Sequence, residues 1–199
     1  MNKRAIPFGI VAAVVLGVLY LASTEQTFNF SSRSSREQPA GPVNAALAAQ
    51  FGYLSKNGNS SCSASFKDAI AFMPDGKSLR GSCCSPMSIH RYSEQVEGLK
   101  RYANIPEIPP DPYDIEAGLA KNLMAMYDTE LTPEQQKHYD YAMEHSSEKG
   151  PCCCKCWRWY VYGGLGKLLI QKHGFTGEQI TGVWNLSDGC GGDAEHHHS

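Results

Sequence analysis

The sequence predicts a mainly α-helical domain with cysteine-bearing loops, preceded by one N-terminal transmembrane helix. Three observations indicate this class. Apolar residues recur every three or four positions in most stretches, and no convincing strand-like alternation is present. An uncharged apolar run opens the chain, and all eight cysteines lie beyond residue 60. The length of 199 residues fits one domain with an appendage.

Residues 1–22 are predicted to form a transmembrane anchor. The basic start MNKR is followed by an uncharged segment, Ala5–Ala22, about as long as a bilayer core requires. The positive residues Lys3 and Arg4 should stay in the cytoplasm. We therefore expect a single-pass protein of the cell membrane with the bulk of the chain on the extracytoplasmic side. A cleaved signal peptide is the alternative, although the segment lacks a good small-x-small cleavage site.

Composition divides the rest of the chain. Residues 23–42 are polar and rich in serine, which predicts a flexible linker. The helical cysteine-rich domain is predicted over 43–192, and the last residues, 193–199, form a disordered tail. The three histidines in that tail receive little weight as ligands.

Within 43–192, spacing and cap residues predict five or six helices. Thr132 and Thr176 each precede a glutamine by three positions, the pattern of a capping box at a helix start. Four prolines within 104–115 predict an extended arm instead of a helix or a central strand. The main predicted helices are 43–54, 87–103, 115–130, 131–150, 157–174 and 175–186, with a short helical turn within 66–73.

Charge and motifs exclude several function classes. A net charge of −2 gives no electrostatic reason to bind nucleic acid. The sequence has no phosphate-binding glycine loop, no nucleophile elbow and no paired metalloprotease histidines. Without an acid/base pair or a nucleophile triad, the chain is not predicted to be an enzyme.

The segment GPCCCKCW contains four cysteines whose thiols could bind a metal or act as nucleophiles. Adjacent cysteines are poor disulfide partners, because their Cα atoms lie about 3.8 Å apart and a disulfide usually needs roughly 4.4–6.8 Å. Pro151 and the helix-forming run after it place Cys152, Cys153, Cys154 and Cys156 at a helix N-terminus. The helix dipole there lowers thiol pKa values, and thiolate is both the metal ligand and the nucleophile.

A second group of potential metal ligands lies in the segment 83–90. Cys83 and Cys84 precede a predicted helix, and Met87 and His90 lie three and six residues past Cys84. Thiolate, thioether and imidazole are soft ligands that favour copper, above all Cu(I). Zinc is the alternative metal, although it rarely accepts methionine. Cys62 and Cys190 complete the set and could join either group.

Two other hypotheses for the role of the cysteines remain open. Four thiols in the segment and four elsewhere could form up to four disulfides outside the cytoplasm. The protein would then be a disulfide-stapled structural or interaction subunit of a membrane complex. The C-x-x-C pair Cys153 and Cys156 could instead serve a thiol–disulfide oxidoreductase.

The segment resembles the motif of the bacterial PCYCGC-motif proteins. Cys153 stands in place of the tyrosine and Lys155 in place of the glycine. The likeness extends loosely over 100–192, and a lipidation cysteine is missing. The resemblance implies an exported, membrane-attached protein. The shared residues are Pro151, Cys152, Cys154 and Cys156.

These observations lead to one hypothesis. The chain is a membrane-anchored extracytoplasmic protein that binds a soft metal, most simply copper, through its cysteines. It would sequester the metal or deliver it to a metal-acceptor protein or a membrane protein complex.

Overall fold

The structure, a computed structural model, describes residues 44–192 and confirms the mainly α-helical class. The predicted anchor 1–22, the linker 23–42 and the tail 193–199 lie outside the described residues. Among the helices of 44–192, none is long and apolar enough to cross a membrane.

The described residues form seven α-helices, one more than the upper expectation. A single 3₁₀ turn, Lys100–Tyr102, extends the third helix. The helices are α1 Ala45–Lys56, α2 Ala64–Ile70, α3 Ile89–Leu99, α4 Ala117–Met126, α5 Pro133–His145, α6 Trp157–His173 and α7 Gly177–Ser187.

A small antiparallel sheet was not predicted. Strands β1, Ser78–Arg80, and β2, Asp114–Glu116, pair with Leu79 opposite Ile115. Each strand has three residues, too few for an alternating pattern to show in the sequence. Strand β2 belongs to the proline-rich arm, which is extended there as expected.

Local cap signals set the starts of two helices. The Thr132 side chain accepts a hydrogen bond from the backbone N–H of Gln135, and the Gln135 side chain accepts one from the backbone N–H of Thr132. Pro133 occupies the first helical position. Thr176 and Gln179 form the same reciprocal pair at the start of α7. The predicted capping boxes are confirmed, and each is worth about 1 kcal/mol of helix stability.

Helix α6 lies at the centre of the domain. It packs against α4 and α5, and α5 in turn packs against α7. Trp157, Tyr162 and Leu165 on α6 are completely buried. At Gly164, a Cβ atom would lie 1.8 Å from the carbonyl oxygen of Leu123 on α4. Glycine there allows the two helix backbones to approach directly.

Candidate metal centre

The eight cysteines, scattered over 129 positions of sequence, come together at the ends of the helices. Cys62 precedes α2, and Cys83 and Cys84 lie between β1 and α3. The four cysteines of 152–156 lie between α5 and α6, and Cys190 follows α7. All eight are free thiols in this structure. We call this group the cysteine cluster.

The 152–156 segment precedes α6 instead of forming its first turn. Helix α6 begins at Trp157, and Cys156 is its N-cap residue in an extended conformation. A backbone bond from Cys156 N–H to the Cys154 carbonyl, 2.8 Å long, closes a tight turn. The four cysteines therefore lie just before the helix N-terminus, and Cys156 is the residue that caps it. The turn brings the Sγ atoms of Cys152 and Cys156 within 3.9 Å of each other.

Backbone contacts fix the Cys190 loop against the loop of Cys83 and Cys84. The Cys190 carbonyl accepts from the N–H groups of Cys84, at 3.1 Å, and Ser85, at 2.8 Å. Gly191 has a φ of +86°, and a Cβ atom there would lie 2.1 Å from the Ser85 carbonyl oxygen. Glycine is thus required next to Cys190 both for its backbone angle and for this close approach.

Cys62 is held on the opposite side of the same loop. Its thiol donates to the Cys83 carbonyl at 3.0 Å. Upstream, the Asn59 side chain bonds the β1 backbone, accepting from Arg80 N–H at 2.7 Å and donating to the Ser78 carbonyl at 2.9 Å. The β1 backbone therefore holds the segment that leads into Cys62.

Two ranges of sulfur–sulfur distance occur in the cluster. The short contacts are Cys153–Cys190 at 2.7 Å, Cys62–Cys84 at 2.8 Å and Cys152–Cys190 at 3.1 Å. The longer ones are Cys84–Cys153 at 4.0 Å and Cys83–Cys84, Cys84–Cys154 and Cys152–Cys156 at 3.9 Å. Thiolates bound at about 2.3 Å around one tetrahedral metal ion lie about 3.8 Å apart. The longer contacts therefore have the spacing of metal ligands.

Four sets of ligand atoms in the described residues could each hold a metal ion, with all atoms of a set within 4.8 Å of one another. One set has four thiols and the others have three ligands each. Four of the eight cysteines belong to two sets. The sets are Cys84, Cys153, Cys154 and Cys190; Cys62, Cys83 and Cys156; Cys152, Cys154 and Cys156; and Cys152, Asp188 and Cys190.

Burial divides the cluster into an interior and an outer face. Cys152, Cys156 and Cys190 are at most 2% exposed. Cys84 and Cys153 are exposed to solvent. The cluster therefore offers two thiols to solvent while three others are shielded from it.

Hydrogen bonds among the sulfur atoms shift the thiol pKa values in opposite directions. The hydrogen bonds of Cys153 with Cys152 and Cys190 lower its pKa to about 2. Hydrogen bonds with Cys152 and Cys83 lower the pKa of Cys156 to about 2. The pKa of Cys152 is raised by its hydrogen bonds to Cys153, Cys154 and Cys156. The cluster thus favours thiolate at some positions by keeping a proton on a buried neighbour.

A buried arginine lies beside the cluster. Arg158 is completely buried and donates to the carbonyls of Pro112 and of Gly81, the latter at 2.8 Å. Burial lowers its pKa, but nearby Tyr162 and the thiols of the cluster raise it by more, so the pKa ends above its ordinary value. The guanidinium is therefore a fixed positive charge close to Cys83, Cys152 and Cys190.

Sequence reasoning assigned no role to Arg158 or Asp188. Arg158 directly follows the cysteine segment between two tryptophans, and that position is the only local signal for it. Asp188 lies two residues before Cys190, and its carboxylate accepts from the Cys190 N–H at 3.0 Å. An acidic residue at that spacing could have indicated a further ligand.

The two predicted ligands that are not cysteines, Met87 and His90, lie at the start of α3. Met87 packs in a small apolar cluster that includes Leu47 and Tyr92, and its sulfur accepts from the Ser55 hydroxyl at 3.7 Å. His90 is exposed in the first turn of α3. The structure brings the eight cysteines together, including Cys62 and Cys190, and His90 belongs to none of the four sets.

Comparisons with protein-family models, curated proteins and solved structures give no match for this chain. The resemblance to the PCYCGC-motif proteins remains an expectation from the sequence. The functional argument therefore depends on the site itself.

Proposed function

We propose that the protein binds a soft metal through the cysteine cluster, with Cu(I) as the favoured ion, and sequesters it or passes it to a metal-acceptor protein. One observation carries the proposal: eight free thiols from four separate loops converge at one end of the domain. Such crowding of ionisable sulfur is costly unless cations or disulfide bonds join the sulfur atoms.

The ligand chemistry favours copper. Thiolates select Cu(I), zinc and iron–sulfur clusters over hard cations. The three buried cysteines offer Cu(I) protection from water and oxygen, and the exposed Cys84 and Cys153 offer a route for exchange with a partner's thiolates. Zinc is the second choice, since tetrahedral thiolate sites suit it equally well.

The first experiment measures metal and thiols together. The full-length chain is purified in detergent without chelator or reductant, and elemental analysis is paired with a thiol assay under denaturing conditions. We expect a soft metal in stoichiometric amount and thiols that react only after the metal is removed. Absence of metal together with few free thiols would overturn the proposal in favour of a disulfide-stapled protein.

Two sets of variants assign the ligands. The Cys152→Ser/Cys156→Ser variant should lose most of the metal. The Met87→Leu/His90→Gln variant tests the two predicted ligands that are not cysteines, and retained metal would restrict the site to the cluster. Full metal content in the cysteine variant would contradict the proposed site.

The membrane anchor belongs to the same proposal and rests on residues 1–22. After cell fractionation, the full-length chain should stay with membranes through alkaline carbonate extraction. Protease added to spheroplasts should digest the cysteine domain from the outside. Release by carbonate, or protection from protease, would contradict the proposed topology.

A further inference from the structure

We propose that the cluster holds several metal ions joined by shared thiolates, and not a single ion. The inference deepens the proposed function and rests on it. It follows from how the four ligand sets overlap.

Shared sulfur atoms link the sets into one network. Cys154 belongs both to the set with Cys84, Cys153 and Cys190 and to the set with Cys152 and Cys156. A thiolate that lies within ligand distance of two metal positions bridges two ions. Three further cysteines, Cys152, Cys156 and Cys190, are also shared between two sets.

A single ion would leave the cluster incomplete. A tetrahedral ion takes four ligands, and within residues 44–192 one set has four thiols, that of Cys84, Cys153, Cys154 and Cys190. Occupancy of that set alone leaves Cys152 and Cys156 buried without a metal. Cys152 lies 3.9 Å from Cys156, the spacing of metal ligands, so its sulfur is placed to coordinate as well.

The negative charge of the thiolates also favours several bound ions over one. One monovalent ion surrounded by thiolates would leave a large negative charge in a site whose interior is shielded from water, which is costly. Several Cu(I) ions spread over the eight sulfur atoms distribute positive charge among them. The buried guanidinium of Arg158 adds one fixed positive charge beside Cys83, Cys152 and Cys190.

The test is an anaerobic titration of the reduced full-length chain with Cu(I). Native mass spectrometry counts the bound ions, and a colorimetric Cu(I) chelator competes for them. We expect at least two and up to four ions per chain, loaded cooperatively because each shared thiolate prepares a neighbouring position. One bound ion would overturn this inference while leaving the proposed function intact. No bound ion would overturn both.

A matched pair of variants tests the sharing itself. Cys154 and Cys62 are both partly buried, but Cys154 belongs to two sets and Cys62 to one. Cys154→Ser should therefore lower the copper stoichiometry more than Cys62→Ser. Equal losses would contradict bridging by Cys154.

X-ray absorption supplies a readout that needs no variant. Ions that share thiolates lie close enough for copper–copper scattering, which the fully loaded wild-type chain should show. A spectrum with sulfur neighbours alone would contradict a shared cluster.

Discussion

The sulfur atoms of Cys153 and Cys190 lie 2.7 Å apart, although 37 positions separate the two residues in the chain. One of the pair is exposed and the other is completely buried. Cys62 and Cys84 form a second close pair at 2.8 Å. These contacts are longer than a disulfide bond of about 2.05 Å, so neither pair is bonded. Because the two sulfur atoms of each pair are close, these are the pairs that oxidation would join in the absence of a metal.

The first prediction is that metal-free protein oxidises at these two pairs. Treatment with hydrogen peroxide should convert Cys153–Cys190 and Cys62–Cys84 to disulfides, with each pair losing two hydrogens as peroxide is reduced to water. Peptide mapping by mass spectrometry identifies the bonds. Metal-loaded protein is the control, and it should resist because its thiolates are engaged.

Oxidation also separates the open readings of the cysteines. A random mixture of bonds would contradict the pairing that the structure indicates. Oxidised protein that takes up no Cu(I) until a reductant is added would support a metal site whose loading depends on free thiols.

The second prediction concerns Arg158. Arg158→Gln removes a buried charge that donates to two carbonyls, so the free energy of unfolding should fall by about 2–4 kcal/mol. Arg101→Gln is the control, since Arg101 is exposed and its contacts are local, a hydrogen bond to the Gly98 carbonyl and a cation–π contact with Tyr102. The control should change stability by less than about 0.5 kcal/mol. Chemical denaturation of both variants measures the difference.

Arg158→Lys distinguishes charge from hydrogen bonding. Lysine keeps the positive charge but cannot reproduce the planar fork of donors. We expect the lysine variant to lose stability yet to bind Cu(I) more tightly than Arg158→Gln in competition with a chelator. Equal copper affinity in the two variants would show that the charge of Arg158 does not act on the cluster.

Arg158 also shows where sequence reasoning reached its limit. The capping boxes at Thr132 and Thr176 were predictable because all their partners lie within three positions. The carbonyl acceptors of Arg158 lie 46 and 77 positions away in the chain, so no local sequence pattern predicts them. The start of α6 at Trp157, by contrast, agrees with the helix predicted over 157–174.

The cysteine cluster itself was half predictable. The four cysteines of the segment 152–156 predict a thiol site by composition alone, and Cys83 and Cys84 were recognised as a second group. Which thiols meet depends on how α6 and α7 pack, since the α7 end brings Cys190 to Cys152 and Cys153. That arrangement is tertiary, and periodicity within one segment carries no information on it.

The third prediction uses two glycines that share a backbone conformation but not their surroundings. Gly191, at φ +86°, would place a Cβ atom 2.1 Å from the Ser85 carbonyl oxygen, whereas Gly174, at φ +65°, faces open space. Gly174→Ala should cost about 1 kcal/mol from its backbone angle alone. Gly191→Ala should cost more, about 2–3 kcal/mol, because the loop must also shift.

The functional consequence should separate the same two variants. Displacement of the 189–191 loop moves Cys190, so Gly191→Ala should bind less copper, while Gly174→Ala should bind the wild-type amount. Elemental analysis after metal loading checks this. Wild-type copper content in Gly191→Ala would show that the position of Cys190 is not needed for binding.

The fourth prediction concerns pH and a buried carboxyl. Burial is the largest influence on Asp111 and raises its pKa, while the Tyr92 hydroxyl, which donates to it at 2.6 Å, and the Tyr113 N–H lower it. Asp114 raises the pKa further and Arg158 opposes this. The net shift is upward, so the folded state holds the proton to a higher pH than the unfolded chain does.

The sign of the effect on stability follows from that shift. Between the unfolded pKa of about 3.9 and the higher folded pKa, the folded state binds more protons. The contribution of Asp111 therefore makes the free energy of unfolding fall as pH rises through this window, and the loss persists at neutral pH. Asp111→Asn should remove this fall. Tyr92→Phe should steepen it, because the carboxylate loses a donor. Urea denaturation of the metal-free chain from about pH 4 to 7 measures all three profiles, and parallel profiles for the wild type and Asp111→Asn would show that Asp111 titrates alike in the folded and unfolded chain.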